Sequence, residues 1–185
     1  MKVGVLALQG DFREHAAVLR DLNAEPIEVR TPERLAEVEA LIIPGGESTT
    51  MAKLARAHEL VEPIRSRVSD GMAVMGTCAG MIVMASEVDG GRPLLSLMDL
   101  TIKRNAYGRQ VDSFEADVDV DGIEEPVRAV FIRAPWVERA GPDVRVLAEH
   151  GGHPVVLEQG RLLAAAFHPE LVGETRLHGY FLEKV

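Results

Sequence analysis

The sequence predicts a single α/β domain with a mostly parallel central sheet, helices on both faces of that sheet and a second half rich in antiparallel strands. In the first half, short apolar runs alternate with helix-like segments, the pattern of parallel strands joined by right-handed crossovers. From residue 99 onward, short strand-like runs follow one another across glycine, aspartate and proline turns. The length of 185 residues suits one domain, which we expect to span residues 1–185.

Four strands are predicted in the first half. Val3–Leu8 and Ala40–Ile43 are uninterrupted apolar runs, typical of strands buried on both faces, and Ile27–Arg30 and Met72–Met75 are the other two. Thr31 should cap the second helix and Pro63 should bend the third. The helices are expected at Phe12–Leu22, from Pro32, at Thr49–Ser69 and at Met81–Glu87.

The second half is predicted to contain six short strands and one helix. Gly151-Gly152 and Gln159-Gly160 are turn sequences that favour hairpins, and a final helix is expected at Glu174–Leu182. The predicted strands are Leu100–Lys103, Phe114–Val120, Val127–Ile132, Val144–Ala148, Pro154–Leu157 and Leu162–Phe167.

Composition excludes several classes of protein. The net charge of −9, with no run of basic residues, disfavours binding to a nucleic-acid phosphate backbone. A single cysteine rules out an intramolecular disulfide, and neither a secretory leader nor an apolar run of membrane-spanning length is evident. We therefore expect a cytoplasmic protein. The histidines show no metal-ligand spacing with Cys78, so no metal and no cofactor are predicted.

Gly76-Thr77-Cys78-Ala79-Gly80 is the sharpest motif in the sequence. It follows a predicted strand and precedes a predicted helix, the context of a nucleophile elbow, whose tight turn needs small neighbours. A helix N-terminus at Ala79 would favour the thiolate of Cys78. A lone cysteine is more often an inert buried residue, but the flanking glycines favour the nucleophile.

His168 and Glu170 stand where a predicted strand ends in Phe167-His168-Pro169-Glu170. Glu170 can reach back to the imidazole and fix its tautomer, as the third member of a catalytic triad does. The alternative is that His168 is an ordinary core histidine with its hydrogen bonds satisfied. The nearby carboxylate and the elbow cysteine make this the weaker interpretation. The remaining histidines lack such a setting: His15; His58 and His178, expected on helix surfaces; and His150 and His153, expected in a hairpin.

A tetrahedral intermediate at this cysteine would need hydrogen-bond donors for its oxyanion. The backbone N–H of Ala79 is one candidate, and Gly46, within Gly45-Gly46, is the other. Glycines after the third strand permit unusual backbone conformations and a peptide flip. Ser48 or Thr49 would act simply as an N-cap in the structural interpretation, which is compatible with the catalytic one.

These motifs together resemble the class I, triad-type glutamine amidotransferases and, more narrowly, the glutaminase subunits of pyridoxal 5′-phosphate synthase. The blocks that carry the likeness span nearly the whole chain. They are Gly4–Gly10, Pro44–Thr50, Gly76–Gly80, Arg104–Gln110, Asp112–Glu115, Phe131–Pro135 and Phe167–Glu170.

The resemblance implies hydrolysis of L-glutamine to L-glutamate and ammonia through a cysteine thioester, with Cys78 as nucleophile and His168 and Glu170 as its relay. It also implies contacts to glutamine from six residues. Arginine suits the α-carboxylate and Glu47 the α-ammonium group, although each arginine could instead form a surface ion pair of little consequence. The six are Gly46, Glu47, Ser48, Arg104, Ile132 and Arg133.

The same resemblance implies a partner. A (β/α)8-barrel synthase subunit would receive the ammonia inside a hetero-oligomer and make pyridoxal 5′-phosphate from a pentose phosphate and a triose phosphate. Docking would complete the oxyanion hole, with the Gly45-Gly46 peptide as the switch and Gln9-Gly10 on the docking surface. The chain ends at Val185, soon after its last predicted helix, which should not affect catalysis but leaves a C-terminal contact to the partner open.

Three rival functions remain open at this point. A cysteine peptidase, chaperone or glyoxalase-like protein would share the elbow but would not need the Arg104 and Arg133 blocks. A non-catalytic binding module on a degenerate glutaminase fold would not need the complete triad. A glutaminase that serves another acceptor pathway would share every residue of the site.

Overall fold

The computed structural model describes residues 1–103 and 113–185. The strands are β1 (Lys2–Leu6), β2 (Glu25–Val29), β3 (Ala40–Ile43), β4 (Ala73–Thr77), β5 (Ala85–Val88), β6 (Met98–Lys103), β7 (Phe114–Val118), β8 (Val127–Phe131), β9 (Trp136–Ala140), β10 (Arg145–His150), β11 (His153–Gln159) and β12 (Leu162–Ala165). The helices are α1 (Phe12–Asp21), α2 (Pro32–Ala36), α3 (Ser48–Ala57), α4 (Val61–Ser69), α5 (Ala79–Met84) and α6 (Arg176–Leu182), with a 3₁₀ turn at Glu170–Val172.

The main sheet has seven strands in the order β10-β11-β12-β4-β3-β1-β2. The five strands from β12 to β2 run parallel, whereas β10 and β11 are antiparallel additions at one edge. Every residue of β3, β4 and β12 is buried, as expected for strands covered on both faces. Two small sheets, β5-β6-β9 and β7-β8, complete the second half. The predicted fold class is confirmed.

The helices cover both faces because the chain reverses its direction across the sheet. From β1 the chain moves to β2 at one edge of the sheet, and it then moves in the other direction to β3 and β4. Because each crossover is right-handed, α1 lies on one face of the sheet and α2, α3 and α4 lie on the other. Thr31 caps α2 as predicted, accepting a hydrogen bond from the Arg34 amide. Among the described helices, none combines the length and apolar character needed to cross a membrane.

The predicted long helix at Thr49–Ser69 is wrong, because the chain forms two helices there. The interruption lies at Glu59, whose φ of 54° is left-handed and cannot continue a helix. Pro63 does not bend a helix: it sits in the first turn of α4, where a missing N–H costs nothing.

The predicted helix at Met81–Glu87 is also wrong in its bounds. Helix α5 already begins at Ala79 and ends at Met84, since Ala85 is extended and starts β5, which pairs with β6. Strand β9 was not predicted; it pairs with the opposite side of β6, a partner distant in the sequence. Both errors have one cause, because a strand held by a distant partner leaves a weak local pattern.

His178 does not lie on a helix surface, contrary to the prediction. It is fully buried on the inner face of α6, together with Leu177 and Phe181. Its imidazole meets that of His15, which α1 buries equally deeply. His58 is exposed at the end of α3, as expected.

Gly80 lets helix α5 pack directly on the end of β3. A Cβ atom at this position would lie 2.1 Å from the carbonyl oxygen of Ile43, a backbone atom that cannot move aside cheaply. Gly179, in α6, offers a matched contrast, because a Cβ there would meet nothing within 4 Å.

We therefore expect Gly80→Ala to lower the free energy of unfolding by about 1–3 kcal/mol, the typical effect of overpacking. Gly179→Ala should raise it by about 0.5–1 kcal/mol, because alanine loses less backbone entropy than glycine in a helix. Urea unfolding followed by circular dichroism measures both changes. Equal stability of the two variants would contradict the close packing of α5 on β3.

Candidate active site

Four neighbouring parallel strands, β12, β4, β3 and β1, deliver most of the candidate residues to one edge of the sheet. Register pairs Ile43 with Gly76 and Ala165 with Thr77, so the carboxyl ends of these strands are level. In open α/β sheets this edge is where ligands bind. A cleft of about 520 Å³ opens there, a size that suits a small metabolite. Its lining consists of Gln9, Asp11, Gly46, Glu47, Ser48, Cys78, Ala79, Ile82, Ile132, Arg133, His168 and Leu171.

Cys78 occupies a strained turn between β4 and α5. Its φ of 48° and ψ of −104° are unfavourable for any residue with a side chain, and such strain is typical of functional positions. A Cβ on Gly76 would lie 2.7 Å from the backbone carbonyl carbon of Gly80, so a small residue is indeed required beside the turn. Cys78 is 7% exposed as a residue, and its sulfur lies 3.8 Å from the carbonyl oxygen of Ile132.

His168 and Glu170 form a buried pair directly beyond β12. His168 Nδ1 lies 2.8 Å from Glu170 Oε1, and the backbone N–H of His168 donates to the Val130 carbonyl. Asp11, which follows β1, places Oδ2 3.3 Å from the same Nδ1. Two carboxylates therefore share one nitrogen of the imidazole, and one of them is fully buried while the other lies at the mouth of the cleft.

These contacts determine the charge on the imidazole. Burial lowers the pKa of His168, but hydrogen bonds with Asp11, Cys78 and Glu170 outweigh this effect and raise the pKa to about 12. Burial raises the pKa of Glu170, and the hydrogen bond with His168 opposes that rise. At neutral pH the site therefore contains an imidazolium group beside the sulfur.

The loop after β3 closes one side of the cleft through contacts with the loop after β1. The Asp11 amide donates to the Gly45 carbonyl at 3.3 Å, and the Glu47 amide donates to Gln9 Oε1 at 2.7 Å. A Cβ on Gly45 would lie 2.2 Å from His168 Cε1, so only glycine allows this approach. Gly46 has a φ of 143°, a conformation that other residues rarely adopt.

The N-cap of α3 is Glu47 rather than Ser48 or Thr49. Its carboxylate accepts hydrogen bonds from the Thr49 and Thr50 amides and from the Thr50 hydroxyl. The Thr50 hydroxyl, followed by the Thr49 amide, lowers the pKa of Glu47 to about 2, so it stays ionised. Sequence alone favoured serine or threonine because these are the commoner caps.

The predicted oxyanion donors, Gly46 and Ala79, both line the cleft. Ala79 is the first residue of α5, so its N–H has no acceptor within the helix. Ile132 and Arg133 reach the cleft from the turn after β8, where Arg133 has a left-handed φ of 45°. Among the described residues Arg133 makes no ion pair. Arg104 lies outside the described residues.

Sequence reasoning missed part of the cleft, namely Asp11, Ile82 and Leu171. It assigned Gln9 to a docking surface rather than to the site. Asp11 could have been found from its place just beyond the first parallel strand, the same signal that located Gly46 and Cys78.

Two carboxylates and one imidazole lie close together at the cleft, but they are poorly suited to binding a metal ion. Asp11, His168 and Glu170 offer donor atoms within 4.8 Å of one another. The nitrogen that would bind a metal, Nδ1 of His168, instead carries a proton shared with the carboxylates. The cluster therefore suits an oriented imidazolium that is stabilised by carboxylates.

Comparison with known proteins agrees with this geometry. Residues 5–185 match the SNO glutamine amidotransferase family. The chain is 57% identical to pyridoxal 5′-phosphate synthase subunit PdxT of Mycolicibacterium vanbaalenii, covering 98% of this chain and 96% of that protein. It is 58% identical to the PdxT subunit of Pelotomaculum thermopropionicum, covering 100% of this chain and 95% of the relative.

Solved structures show the same fold. A crystal structure of a glutamine amidotransferase superposes with a TM-score of 0.94 at 51% identity, covering 98% of this chain and 97% of that one. A chain of PurLQS from Thermotoga maritima, only 17% identical, gives a TM-score of 0.75 over 98% of this chain and 97% of its own, and so shares the fold. The family model covers nearly the entire sequence and the relatives match it end to end, so this chain belongs to the SNO glutamine amidotransferase family.

Proposed function

We propose that this protein hydrolyses L-glutamine to L-glutamate and ammonia, and that it supplies the ammonia to a synthase subunit that makes pyridoxal 5′-phosphate. The observation that carries the proposal is the Cys78 elbow in one cleft with the His168–Glu170 pair. Family membership and the names of the full-length relatives support glutamine as the amide and vitamin B6 synthesis as the pathway.

The first half of the reaction forms a thioester. The Cys78 sulfur, as thiolate, attacks the side-chain amide carbon of glutamine, and the carbonyl oxygen becomes an oxyanion. The N–H groups of Ala79 and Gly46 are the proposed donors to that oxygen. His168, already protonated, gives its proton to the departing nitrogen, and ammonia leaves as the C–N bond breaks.

The second half consumes the thioester. His168 is now neutral and removes a proton from water, whose oxygen attacks the thioester carbonyl. A second oxyanion collapses, the C–S bond breaks and glutamate is released. Glu170 stays buried against Nδ1, so it orients the imidazole and stabilises its charge without taking part in bond making.

Glutamine selectivity is assigned to groups around the mouth of the cleft. Arg133 presents an exposed guanidinium to the α-carboxylate, and Arg104 is proposed as the second cation of the substrate site. Glu47 remains ionised and faces the cleft, so it can balance the α-ammonium group although it also caps α3. Gly46, Ser48 and Ile132 contribute the remaining contacts.

The partner in this proposal is a (β/α)8-barrel synthase subunit, which docks near Gln9 and Gly10 in a cytoplasmic hetero-oligomer. One weak contact supports docking-dependent activation. Within the described ranges the Gly45 carbonyl accepts one hydrogen bond, at 3.3 Å from the Asp11 amide, so the Gly45-Gly46 peptide can reorient when the loop after β1 is displaced. A glutaminase for another acceptor pathway is the remaining alternative, which the relatives' names disfavour.

Release of glutamate from L-glutamine by the purified chain, with and without the synthase subunit, tests the proposal. We expect slow hydrolysis alone, faster hydrolysis in the complex and none with Cys78→Ala in either case. Hydrolysis of peptides by the complex, with glutamine left intact, would overturn the assignment.

The triad variants should differ in severity. In the complex, Cys78→Ala and His168→Ala should lower kcat by several orders of magnitude, because each removes a group that reacts. Glu170→Gln keeps the shape of the side chain but removes the charge that favours the imidazolium. Its decrease in kcat should be roughly 10- to 100-fold smaller than that of the other two variants. Near-wild-type turnover in His168→Ala would contradict its role as proton donor.

Asp11→Asn should lower the pKa of His168, since the Asp11 contact is the largest effect that raises it. The folded-state pKa is above the ordinary value near 6.5, so the charge on His168 stabilises the fold at low pH and is lost as pH rises through the folded value. Imidazole NMR should show His168 protonated into mildly alkaline pH in the wild type and losing its proton earlier in Asp11→Asn. Asp21→Asn, at the exposed end of α1, is the matched control, and equal titration of both variants would contradict the contact.

A further inference from the structure

Two buried histidines lie directly behind the triad and have no part in the reaction described above. His15 and His178 are each 0% exposed, although they come from opposite ends of the chain, in α1 and α6. His15 Nδ1 lies 2.8 Å from His178 Nε2. Burying two imidazoles is costly unless their ring nitrogens form hydrogen bonds, so the groups that contact these nitrogens matter for the stability of the pair.

The other nitrogen of His15 faces the active site. Its Nε2 lies 3.1 Å from Thr77 Oγ1 and 3.5 Å from Glu170 Oε1, the same oxygen that contacts His168. Thr77 immediately precedes the nucleophile. A single nitrogen of His15 therefore meets both the strand end that carries Cys78 and the carboxylate that holds the imidazole.

The charge state of this pair limits its hydrogen bonding. Burial, followed by the proximity of His178 and His168, lowers the pKa of His15 well below its ordinary value, and burial lowers that of His178 to about 4. Each ring is therefore neutral at physiological pH, with one N–H and one bare nitrogen. A bare nitrogen facing the carboxylate of Glu170 would repel it, which favours the proton on Nε2 of His15.

This assignment fits the rest of the chain of contacts. With Nε2 protonated, Nδ1 of His15 accepts from Nε2–H of His178, which leaves Nδ1 of His178 without a proton. That buried Nδ1 forms no hydrogen bond of normal geometry with a described residue, and a contact with the Glu174 backbone only partly offsets the effect of burial on the His178 pKa. A bare acceptor is the cheaper group to leave unpaired, because an orphaned buried N–H is rarer in proteins.

We propose that His15 is a positioning residue of the active site, whose Nε2–H donates to the Thr77 hydroxyl and attracts the Glu170 carboxylate at 3.5 Å, so that Cys78 and His168 stay aligned. Glu170 Oε2 has no hydrogen-bond partner in the described protein, so the contacts at Oε1 alone fix this carboxylate. Without His15, the Glu170 carboxylate can rotate away from Nδ1 of His168. Asp11, which is partly exposed and lies on a loop, would then be the carboxylate that contacts this nitrogen.

Two variants of similar size separate this role from simple packing. The side-chain nitrogen of His15→Gln reaches the place of Nε2, whereas that of His15→Asn reaches only the place of Nδ1. In the complex with the synthase subunit we expect His15→Asn to lower kcat for glutamine about 10- to 100-fold, the usual effect of losing an outer hydrogen-bond partner. KM should be nearly unchanged, and His15→Gln should recover most of kcat. His58→Asn, at an exposed histidine, is the matched control.

Equal kcat values for His15→Gln and His15→Asn, at equal Tm, would overturn the proposal. Parallel losses of Tm and kcat in both variants would do the same, because they indicate packing alone. Nitrogen-15 NMR of histidine-labelled wild-type protein gives a readout that needs no variant: a proton on Nε2 of His15 supports the proposal and a proton on Nδ1 refutes it. The proposal rests on the glutaminase function, and the two fail differently, since an inactive wild-type complex refutes the function whereas active His15→Asn refutes only the positioning role.

Discussion

Four parallel strands that end level with one another are the constraint on which the site depends. Strands β12, β4, β3 and β1 are neighbours, and each contributes a short loop at the same edge of the sheet. Because the strands are buried on both faces, they cannot slip without exposing apolar residues or burying polar ones. Small side chains then decide how near the loops approach, and Gly45, Gly76 and Gly80 each occupy a place where a Cβ would collide.

Backbone strain and a buried charge occur together where the chemistry takes place. Cys78 and Arg133 are non-glycine residues with left-handed backbone conformations, and both line the cleft. His168 is charged although it is almost fully buried, which is tolerable only because carboxylates and the sulfur surround it. The remainder of the fold stabilises this arrangement, since an uncompensated imidazolium in the same place would be strongly destabilising.

The sequence predicted those features that depend on residues close together in the chain. The elbow at Cys78 and the His168–Glu170 pair depend on residues within a few positions of one another, so sequence alone located them. The break at Glu59 carries no glycine or proline to mark it, and β5 and β9 exist because β6 lies between them. His15 and His178 were missed for a similar reason, because their burial results from the packing of α1 and α6 against the sheet.

The contact between His15 and His178 joins positions 163 residues apart. During synthesis, the elbow, the loop after β3 and the whole of α1 leave the ribosome well before α6 exists. Until the last third of the chain is made, Cys78 lacks both His168 and the buried partner of His15. A fragment that lacks the last helix therefore leaves Nδ1 of His15 without its buried partner, behind a triad whose other residues are already present.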